Sequence, residues 1–255
     1  MSYERGMDVW IDMYHSITRL ARRGVPVFLT DDAVGDREEE SLNHLSGNLG
    51  GDVDLRQLIP FLTTKHTLEY CLLFAKRAAS MGLDALTVLG GDTSVGPPRC
   101  VPHSNQLREL IQAKVPELAL GGWANPHGDV ARQVGFLAQE DFHASYFLTQ
   151  VMSHHSLVQV QAFMEELTRQ GVTIPGVFGV FFYRSPNPGT LSLLGDFFPV
   201  PAEELTREFQ EGASPEEICA RTLRGLRSVG VEKVYLSNLG TRGVERTLQR
   251  ILDEV

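Results

Sequence analysis

Cysteines, long apolar runs and positive charge are all scarce in this chain. Its three cysteines are isolated and odd in number, which fits neither a disulfide framework nor a paired-cysteine zinc site; they are Cys71, Cys100 and Cys219. No apolar run approaches the roughly 20 residues that span a bilayer, and the N-terminus has no signal-peptide pattern. The net charge of −9 disfavours nucleic acid and anionic membranes as main partners. We therefore expect a soluble, cytoplasmic protein.

Several short catalytic motifs are missing as well. The chain has no Gly-x-Ser-x-Gly elbow, no Cys–His pair in a recognisable context and no glycine-rich phosphate loop with its lysine. His154 and His155, together with His127, Asp92 and Asp129, could supply metal ligands of the kind that barrel hydrolases use. However, no His-x-His lies on a strand, and neighbouring histidines on a helix point in different directions. The sequence therefore predicts no metal site.

What the chain does contain is an alternation of strands and helices. Continuous apolar runs, typical of strands buried on both faces of a parallel sheet, occur at Val25–Asp31, Gln57–Thr64, Leu83–Asp92, Glu117–Trp123, Ala144–Gln150, Ile174–Phe182 and Val231–Asn238. Amphipathic stretches lie between them, such as His154–Gln170, which Gly171 ends. At 255 residues, the pattern predicts an α/β protein with a (β/α)8 TIM-type barrel, forming a single domain over residues 1–255.

The expected barrel lacks its first strand. The chain opens on a helical stretch, Asp8–Arg23, at the place where a strand should come first. We expect seven strands and an edge between the Val25–Asp31 and Val231–Asn238 strands. An uncovered edge leaves backbone groups without partners, which costs free energy. N-terminal residues, a loop, a second copy of the chain or a partner subunit should therefore cover it.

Polar residues end the predicted strands, and in a barrel such residues point toward a shared mouth. The candidates are Thr30, Asp92, Trp123, His127, Asp129 and Gln150. Gly90 and Gly91 allow the backbone before Asp92 to approach a ligand closely, although a tight strand exit is the structural alternative. His127 could donate to a cofactor phosphate or stay solvated, while Asp129 should cap the next helix. This rim favours recognition of a flat, polar heterocycle.

Three further segments carry weaker signals. Tyr183–Pro201, rich in proline and glycine, is expected to be the longest irregular stretch. Its Phe197 and Phe198 could cover a ligand ring or pack in the core. Ser214–Glu217 forms a capping box with proline at the first helical position, and Asp36–Glu40 is expected to be a solvated loop or helix start.

Taken in order, these strand ends resemble the methylenetetrahydrofolate reductase family, whose catalytic domain is a (β/α)8 barrel carrying FAD. The family's Arg-Gly-Asp strand end looks like Gly90-Gly91-Asp92, its Tyr-Pro-Glu-x-His-Pro-Glu loop is similar to Trp123–Asp129, and its Ile-Thr-Gln strand end matches Leu148-Thr149-Gln150. Further matches are Ile174–Val177 to an Ile-Pro-Gly-Ile strand, Phe61–Thr64 to a His-Leu-Thr-Cys strand, and Thr30 to a flavin-contacting threonine.

The resemblance implies hydride transfer from NAD(P)H to FAD and then to methylenetetrahydrofolate, giving methyltetrahydrofolate. It places Asp92 beside the flavin ring and the folate pterin, and Gln150 in a hydrogen bond to the folate, which makes both the catalytic and substrate-binding candidates. Thr30, Trp123, His127 and Asp129, together with Asp92, would hold the flavin. The cofactor carries the hydride while the protein positions it.

Two departures from the family keep alternatives open. The family's first strand bears a glutamate proposed as the general acid, and Glu4 lacks the Phe and Pro context of that motif, while Gln139 stands where the family has a lysine. The leading prediction is an oxidoreductase of the methylenetetrahydrofolate reductase type. The alternative is a non-catalytic or partner-dependent relative that binds folate or flavin and borrows the acid from another subunit. A metal-dependent barrel hydrolase is the third interpretation.

Overall fold

The computed structural model describes residues 3–30, 49, 51, 53–92 and 96–255, with side chains from residue 11 onward. The chain divides into two compact units. One consists of Met1–Gly122 and Glu140–Tyr146, and the other of Trp123–Gln139 and Phe147–Val255. No helix within the described ranges combines the length and the apolar character that a bilayer-spanning segment requires.

The first unit opens on a helix and carries four parallel strands. Its elements are α1 (Tyr3–Ala21), β1 (Val27–Leu29), a 3-10 turn (Leu55–Gln57), β2 (Leu58–Thr63), α2 (Leu68–Ser80), β3 (Ala85–Leu89), α3 (Ser104–Gln112), β4 (Ala119–Ala124), whose last residues belong to the second unit, and a 3-10 turn (Glu140–Phe142). Strands that are neighbours in the sequence pair in parallel, in the order β1, β2, β3, β4.

A buried arginine ties α3 to the strands of the first unit. Arg108 is only 2% exposed, and its guanidinium donates to the carbonyl oxygens of Phe142 at 2.9 Å and Val88 at 3.2 Å. It also lies 4.5 Å from the centre of the Phe142 ring. Burial lowers the pKa of Arg108 to about 10. The hydrogen bonds make this burial tolerable, because a buried charge needs partners that replace water.

The second unit carries the remaining strands and most of the helices. Its elements are α4 (Val130–Leu137), β5 (Tyr146–Met152), a 3-10 turn (His154–Ser156), α5 (Leu157–Arg169), β6 (Gly176–Phe181), α6 (Pro188–Gly195), α7 (Ala202–Gln210), α8 (Pro215–Ser228), β7 (Val234–Ser237) and α9 (Val244–Asp253). Here too the strands pair in parallel in sequence order, β5 with β6 and β6 with β7.

Helix α5 shows why the second unit packs as it does. Its buried face consists of Val160, Phe163 and Leu167, spaced as one side of an α-helix requires. The Phe163 ring meets Phe147 of β5 and Phe178 of β6 edge to face, with ring centres 6.3 Å and 6.1 Å apart. This is the geometry that aromatic pairs prefer. The helix ends before Gly171, which has a φ of +67°.

The seven predicted strands are all present among the described residues, parallel and alternating with helices. Continuous burial along a strand is confirmed for β3, where Leu86, Thr87 and Val88 are fully buried. The chain does open on a helix, although α1 begins five residues before the predicted Asp8. An eight-stranded closure stays a prediction.

The expectation of one long irregular stretch over Tyr183–Pro201 is wrong. Helix α6 occupies Pro188–Gly195, capped by Asn187, whose side chain accepts from the Thr190 backbone N–H at 3.0 Å. Proline fits the first helical position because its missing N–H would have no partner there. The capping box before α8 is confirmed, while Asp36–Glu40 lies outside the described residues.

Candidate functional site

Two of the six candidate residues belong to the first unit, and both follow its strands. Thr30 comes directly after β1, and Asp92 lies three residues beyond the end of β3. Both are exposed. Because the carboxyl ends of parallel strands lie at the same edge of a sheet, the two side chains belong to the edge where α/β proteins place ligands.

The space beside Gly90 and Gly91 is filled by the chain's own cations. A Cβ at Gly90 would lie 2.8 Å from Arg99 Nη2, and one at Gly91, where φ is +69°, would lie 2.5 Å from Lys65 Cγ. Arg99 donates to the Gly91 carbonyl oxygen at 2.6 Å, and its Nε is buried with no acceptor among the described residues. Here the glycines accommodate Arg99 and Lys65, whereas the sequence suggested the close approach of a ligand.

The end of β4 and the loop after it hold three candidates, two of which form hydrogen bonds to the protein backbone. Trp123 is half-buried near the end of β4. Nε2 of His127 donates to the Val151 carbonyl oxygen at 2.9 Å, because a carbonyl can only accept. The Asp129 carboxylate accepts from the Arg132 backbone N–H at 2.9 Å and caps α4. The predicted cap is confirmed. The Nε2 proton of His127 already takes part in a hydrogen bond to the backbone.

Gln150 lies at an irregularity of β5. The pairing register between β5 and β6 shifts between Leu148 and Val151. At this bulge the Thr149 hydroxyl accepts from the Gly179 N–H at 3.1 Å, and the Tyr235 hydroxyl donates to the Thr149 carbonyl oxygen at 2.7 Å. Side chains thus replace the missing ladder bonds. Bulges redirect side chains at functional edges of sheets, and this one coincides with the Thr-Gln pair of the resemblance.

The Gln150 amide makes one short and one long hydrogen bond. Its Oε1 accepts from the Val151 backbone N–H at 2.9 Å, while its Nε2 reaches the Phe197 carbonyl oxygen only at 3.4 Å. A bond of that length is near the limit for a hydrogen bond. Phe197 itself is 68% exposed. The second unit therefore has an amide whose long Nε2 hydrogen bond a ligand could replace, and an exposed aromatic ring on a neighbouring segment.

A small cavity lies where β5 and β6 end. Its volume is about 200 Å³, and its polar lining consists of His127, Ser153, His155, Ser156, Gln159 and Tyr183. Pockets that enclose a whole small molecule usually measure about 300–1,000 Å³, so this one suits a small group or an ion with its waters. A larger cavity of about 640 Å³ lies between α6 and α7.

Two histidines and a glutamate converge beside the small cavity. His154 and His155 form the 3-10 turn after β5, and the Nε2 atom of each lies 2.6 Å from Oε1 of Glu208 on α7. Their ring centres are 4.0 Å apart. The sequence-based expectation that the two histidines point in different directions is therefore wrong, because a 3-10 turn and not an α-helix carries them.

Other side chains hold this cluster in place. Nδ1 of His154 lies 2.9 Å from the Thr222 hydroxyl, and Arg221 donates to Oε2 of Glu208 at 3.2 Å. Burial lowers the pKa of His154. Burial also acts to raise the pKa of Glu208, but the hydrogen bonds from both histidines outweigh it and the net shift is downward. Both directions favour a carboxylate beside a neutral His154 ring.

The structure thus brings some candidates together. His127 is bonded to the residue after Gln150, and both belong to the second unit with Trp123 and Asp129; Thr30 and Asp92 belong to the first. Sequence reasoning missed Glu208, Tyr235 and Arg99. Glu208 lies more than 50 residues from its histidines and sits in an ordinary amphipathic helix, so no local pattern marks it.

The comparisons with known proteins give a fold and no family. No protein-family model matches the chain, and no curated protein matches it. Among solved structures, an uncharacterized protein from Clostridium thermocellum that binds two copies of 5-methyl-5,6,7,8-tetrahydrofolic acid is similar with a TM-score of 0.55 and 14% identity. The match covers 94% of this chain and 98% of that one.

A second structure is similar over part of a longer protein. It is the carboxyl transferase domain of Rhizobium etli pyruvate carboxylase with oxamate and biotin, with a TM-score of 0.50 and 13% identity. The match covers 87% of this chain and 36% of that one. At such identities the likeness concerns the fold alone, and the conclusion is that this chain shares the arrangement of parallel strands and alternating helices found in these two proteins.

Proposed function

We propose that this chain binds a reduced folate at the carboxyl ends of its strands. The observation that carries the proposal is the shared fold, over nearly the full length of both chains, with the Clostridium thermocellum protein that binds 5-methyltetrahydrofolate. The strand-end motifs that resemble the methylenetetrahydrofolate reductase family support the same ligand independently. Folate binding is the activity that both lines have in common.

Gln150 is the residue best placed to contact the pterin ring. A side-chain amide offers a donor and an acceptor side by side, which matches the mixed donor and acceptor edge of a pterin. Its Nε2 gives up little when a ligand arrives, because its present bond to the Phe197 carbonyl oxygen is 3.4 Å long. The bulge at Thr149, tied by Tyr235 and Gly179, fixes the backbone that presents the amide.

Phe197 is the proposed stacking partner. A ring that is 68% exposed leaves apolar surface in water, and a flat heterocycle would cover it. Aromatic stacking contributes about 0.5–1.5 kcal/mol beyond the buried area. Phe198, in contrast, packs against Phe181 with ring centres 5.5 Å apart. Of the two ligand-covering candidates in the sequence, only Phe197 is thus offered to a ligand.

Asp92 is the proposed folate contact in the first unit. It is exposed and follows Gly91, the residue that Arg99 and Lys65 approach. The resemblance implies that Asp92 favours positive charge on the folate, and we propose the same role for it in this chain.

Calorimetric titration with 5-methyltetrahydrofolate tests the proposal. We expect saturable binding by the parent chain and a loss of about 10-fold to 100-fold in Gln150→Ala, as for an unsatisfied polar group. Gln161→Ala is the matched control, because Gln161 is an exposed glutamine on α5 that donates to the exposed Glu165 side chain. Asp92→Asn should weaken binding, whereas Asp84→Asn, at the other end of β3, should not.

Two results would contradict the proposal. One is the absence of heat and of any fluorescence change at millimolar ligand. The other is binding that Gln150→Ala, Phe197→Ala and Asp92→Asn all leave at the parental affinity, with circular dichroism showing that each variant is folded.

A finer proposal is that the strands form a (β/α)8-type barrel whose bound folate is reduced by NAD(P)H through FAD. The residues that the resemblance assigns to FAD fit it in part. In the second unit, Trp123 offers a half-buried ring, but Nε2 of His127 and the carboxylate of Asp129 already form hydrogen bonds to backbone groups. In the first unit, Thr30 offers an exposed hydroxyl. FAD would supply hydride transfer, and a flavin absorbance spectrum of the purified protein tests for it. Sedimentation tests the predicted homo-oligomer or partner subunit.

A further inference from the structure

The structure assigns a divalent metal site, of the first-row transition type that Zn²⁺ represents, to His154, His155 and Glu208. The three side chains each offer one ligand atom, and these atoms all lie within 4.8 Å of one another. Two imidazoles and one carboxylate are a ligand set found in zinc and iron centres. The three ligands include none of the folate contacts proposed above, so different variants test the two proposals.

The contacts around His154 make Nε2 the ring atom that faces the proposed metal. Nδ1 lies 2.9 Å from the Thr222 hydroxyl, which donates to the Ile218 carbonyl oxygen at 3.3 Å. Nε2 of His154 and Nε2 of His155 both lie 2.6 Å from Oε1 of Glu208. A metal ion bound to these three atoms would take the place of the protons that the imidazoles share with the carboxylate.

The partners of the ligands have the arrangement that metal sites use. A metal-bound histidine commonly donates its second ring nitrogen to a protein oxygen, and a metal-bound carboxylate is held by a further donor. Thr222 and Arg221, both on α8, occupy these two positions. Because Arg221 holds Oε2 of Glu208, Oε1 is the oxygen presented to both histidines. The carboxylate would therefore bind the metal through one oxygen.

Hydrogen bonds hold the backbone that carries the histidines. Ser153 accepts from the His155 N–H at 3.2 Å, and its own N–H donates to Ser156 Oγ at 3.0 Å. This capping box fixes the turn directly after β5 and turns both rings toward α7. Zinc bonds of about 2.0–2.2 Å in tetrahedral geometry separate neighbouring ligand atoms by about 3.3 Å. The present 2.6 Å spacings reach that value by side-chain movements below about 1 Å.

An open coordination position is available to the metal. His155 lines the cavity of about 200 Å³ that also includes His127, Ser153 and Tyr183. Three protein ligands leave the fourth position of a tetrahedral ion for water or a small ligand. A metal at this site is therefore reached through the cavity at the ends of β5 and β6.

The test is a calorimetric titration of the chelator-treated 255-residue chain with Zn²⁺, with the absorbance of Co²⁺ as a second probe. We expect one equivalent bound per chain. Thr222→Val should weaken binding about 10-fold to 100-fold, and His155→Gln and Glu208→Gln should weaken it more. Glu204→Gln, an exposed glutamate one turn earlier on α7, and His15→Gln, an exposed histidine on α1, should leave it unchanged.

X-ray absorption of the zinc-loaded parent needs no variant, so it tests the assignment even where a substituted chain fails to fold. We expect nitrogen and oxygen neighbours at about 2.0–2.2 Å with the outer-shell pattern of two imidazoles. A sulfur neighbour at about 2.3 Å would place the metal on a cysteine and overturn the assignment. So would a parent chain that binds no stoichiometric zinc, or folded His155→Gln and Glu208→Gln variants that bind as the parent does.

Discussion

Tyr235 and Gly179 show how single residues shape the candidate folate site. The Tyr235 hydroxyl donates to the Thr149 carbonyl oxygen at 2.7 Å, at the point where the β5 ladder is interrupted. A Cβ at position 179 would lie 2.5 Å from that hydroxyl, so only glycine leaves room for it. Burial raises the pKa of Tyr235, which keeps the hydroxyl proton in place for donation at any ordinary pH.

Replacing Tyr235 by phenylalanine should therefore destabilise the protein and loosen Gln150. The change leaves the Thr149 carbonyl buried without its donor, at a cost of about 1–3 kcal/mol in the free energy of unfolding. Urea denaturation measures it. The control is Thr87→Val with Tyr146→Phe, which removes both members of a hydrogen bond of 2.9 Å and should cost less. Equal losses in both variants would show that the hydroxyl of Tyr235 has no special role.

At the same scale, the sequence predicts residues whose position in a strand decides their role, and misses those whose role depends on distant contacts. Gln150 and Asp129 follow from a strand end and a helix start, which are local patterns. Glu208 meets His154 across 54 residues, and no periodicity in α7 distinguishes it from Glu204. Similarly, Gly91 is predictable as a special position, but the Lys65 side chain that it accommodates is not.

Among the elements, start and stop signals decide where sequence reasoning succeeds. Helix α8 carries a full capping box, and its start at Pro215 is confirmed. Helix α6 has an equally good start in Asn187 and Pro188, but the surrounding prolines and glycines suggest a loop. The turn at His154–Ser156 differs from both helices. Its 3-10 geometry turns two adjacent side chains toward the same carboxylate, whereas an α-helix would separate them.

Helix α8 offers a direct test of its cap. In Ser214→Ala the Glu217 backbone N–H loses its acceptor, and the free energy of unfolding should fall by about 0.5–2 kcal/mol. Ser228→Ala, an exposed position near the other end of the helix, should change it by less than about 0.5 kcal/mol. Chemical denaturation measures both. A Ser214→Ala variant as stable as the parent would mean that α8 is held by packing alone.

The reciprocal half of the same cap predicts a pH dependence. The backbone N–H of Ser214 donates to the Glu217 carboxylate at 2.6 Å and thereby holds the pKa of Glu217 below its usual value. A lowered pKa in the folded state stabilises the protein above the unfolded pKa, and this stabilisation is lost as the pH falls through the lowered pKa. Glu217→Gln should therefore flatten the acid limb of a stability–pH curve, whereas an unchanged limb would exclude this carboxylate.

At the scale of the whole molecule, the strand count and the alternation with helices were predictable because fully buried strands give continuous apolar runs. The pairing of sequence neighbours within each unit, as in β2 with β3, follows from the same alternation. Chemistry is less predictable than topology, because a fold shared with a folate-binding protein and with a carboxyl transferase supports very different reactions. Function must therefore be decided by side chains and measured as binding and turnover separately.

The last prediction separates a folate binder from a reductase in one preparation. We expect the purified chain to bind 5-methyltetrahydrofolate, while NAD(P)H-dependent reduction of methylenetetrahydrofolate with added FAD is weak or absent. Opening the folate ring needs a proton delivered to nitrogen, a step to which a positioned acid contributes about 10²–10⁴-fold. The resemblance supplies no match for that acid. Nε2 of His127 and the carboxylate of Asp129 are already hydrogen-bonded to backbone groups. Robust flavin-dependent turnover, lost in Asp92→Asn but retained in Asp84→Asn, would establish the reductase instead.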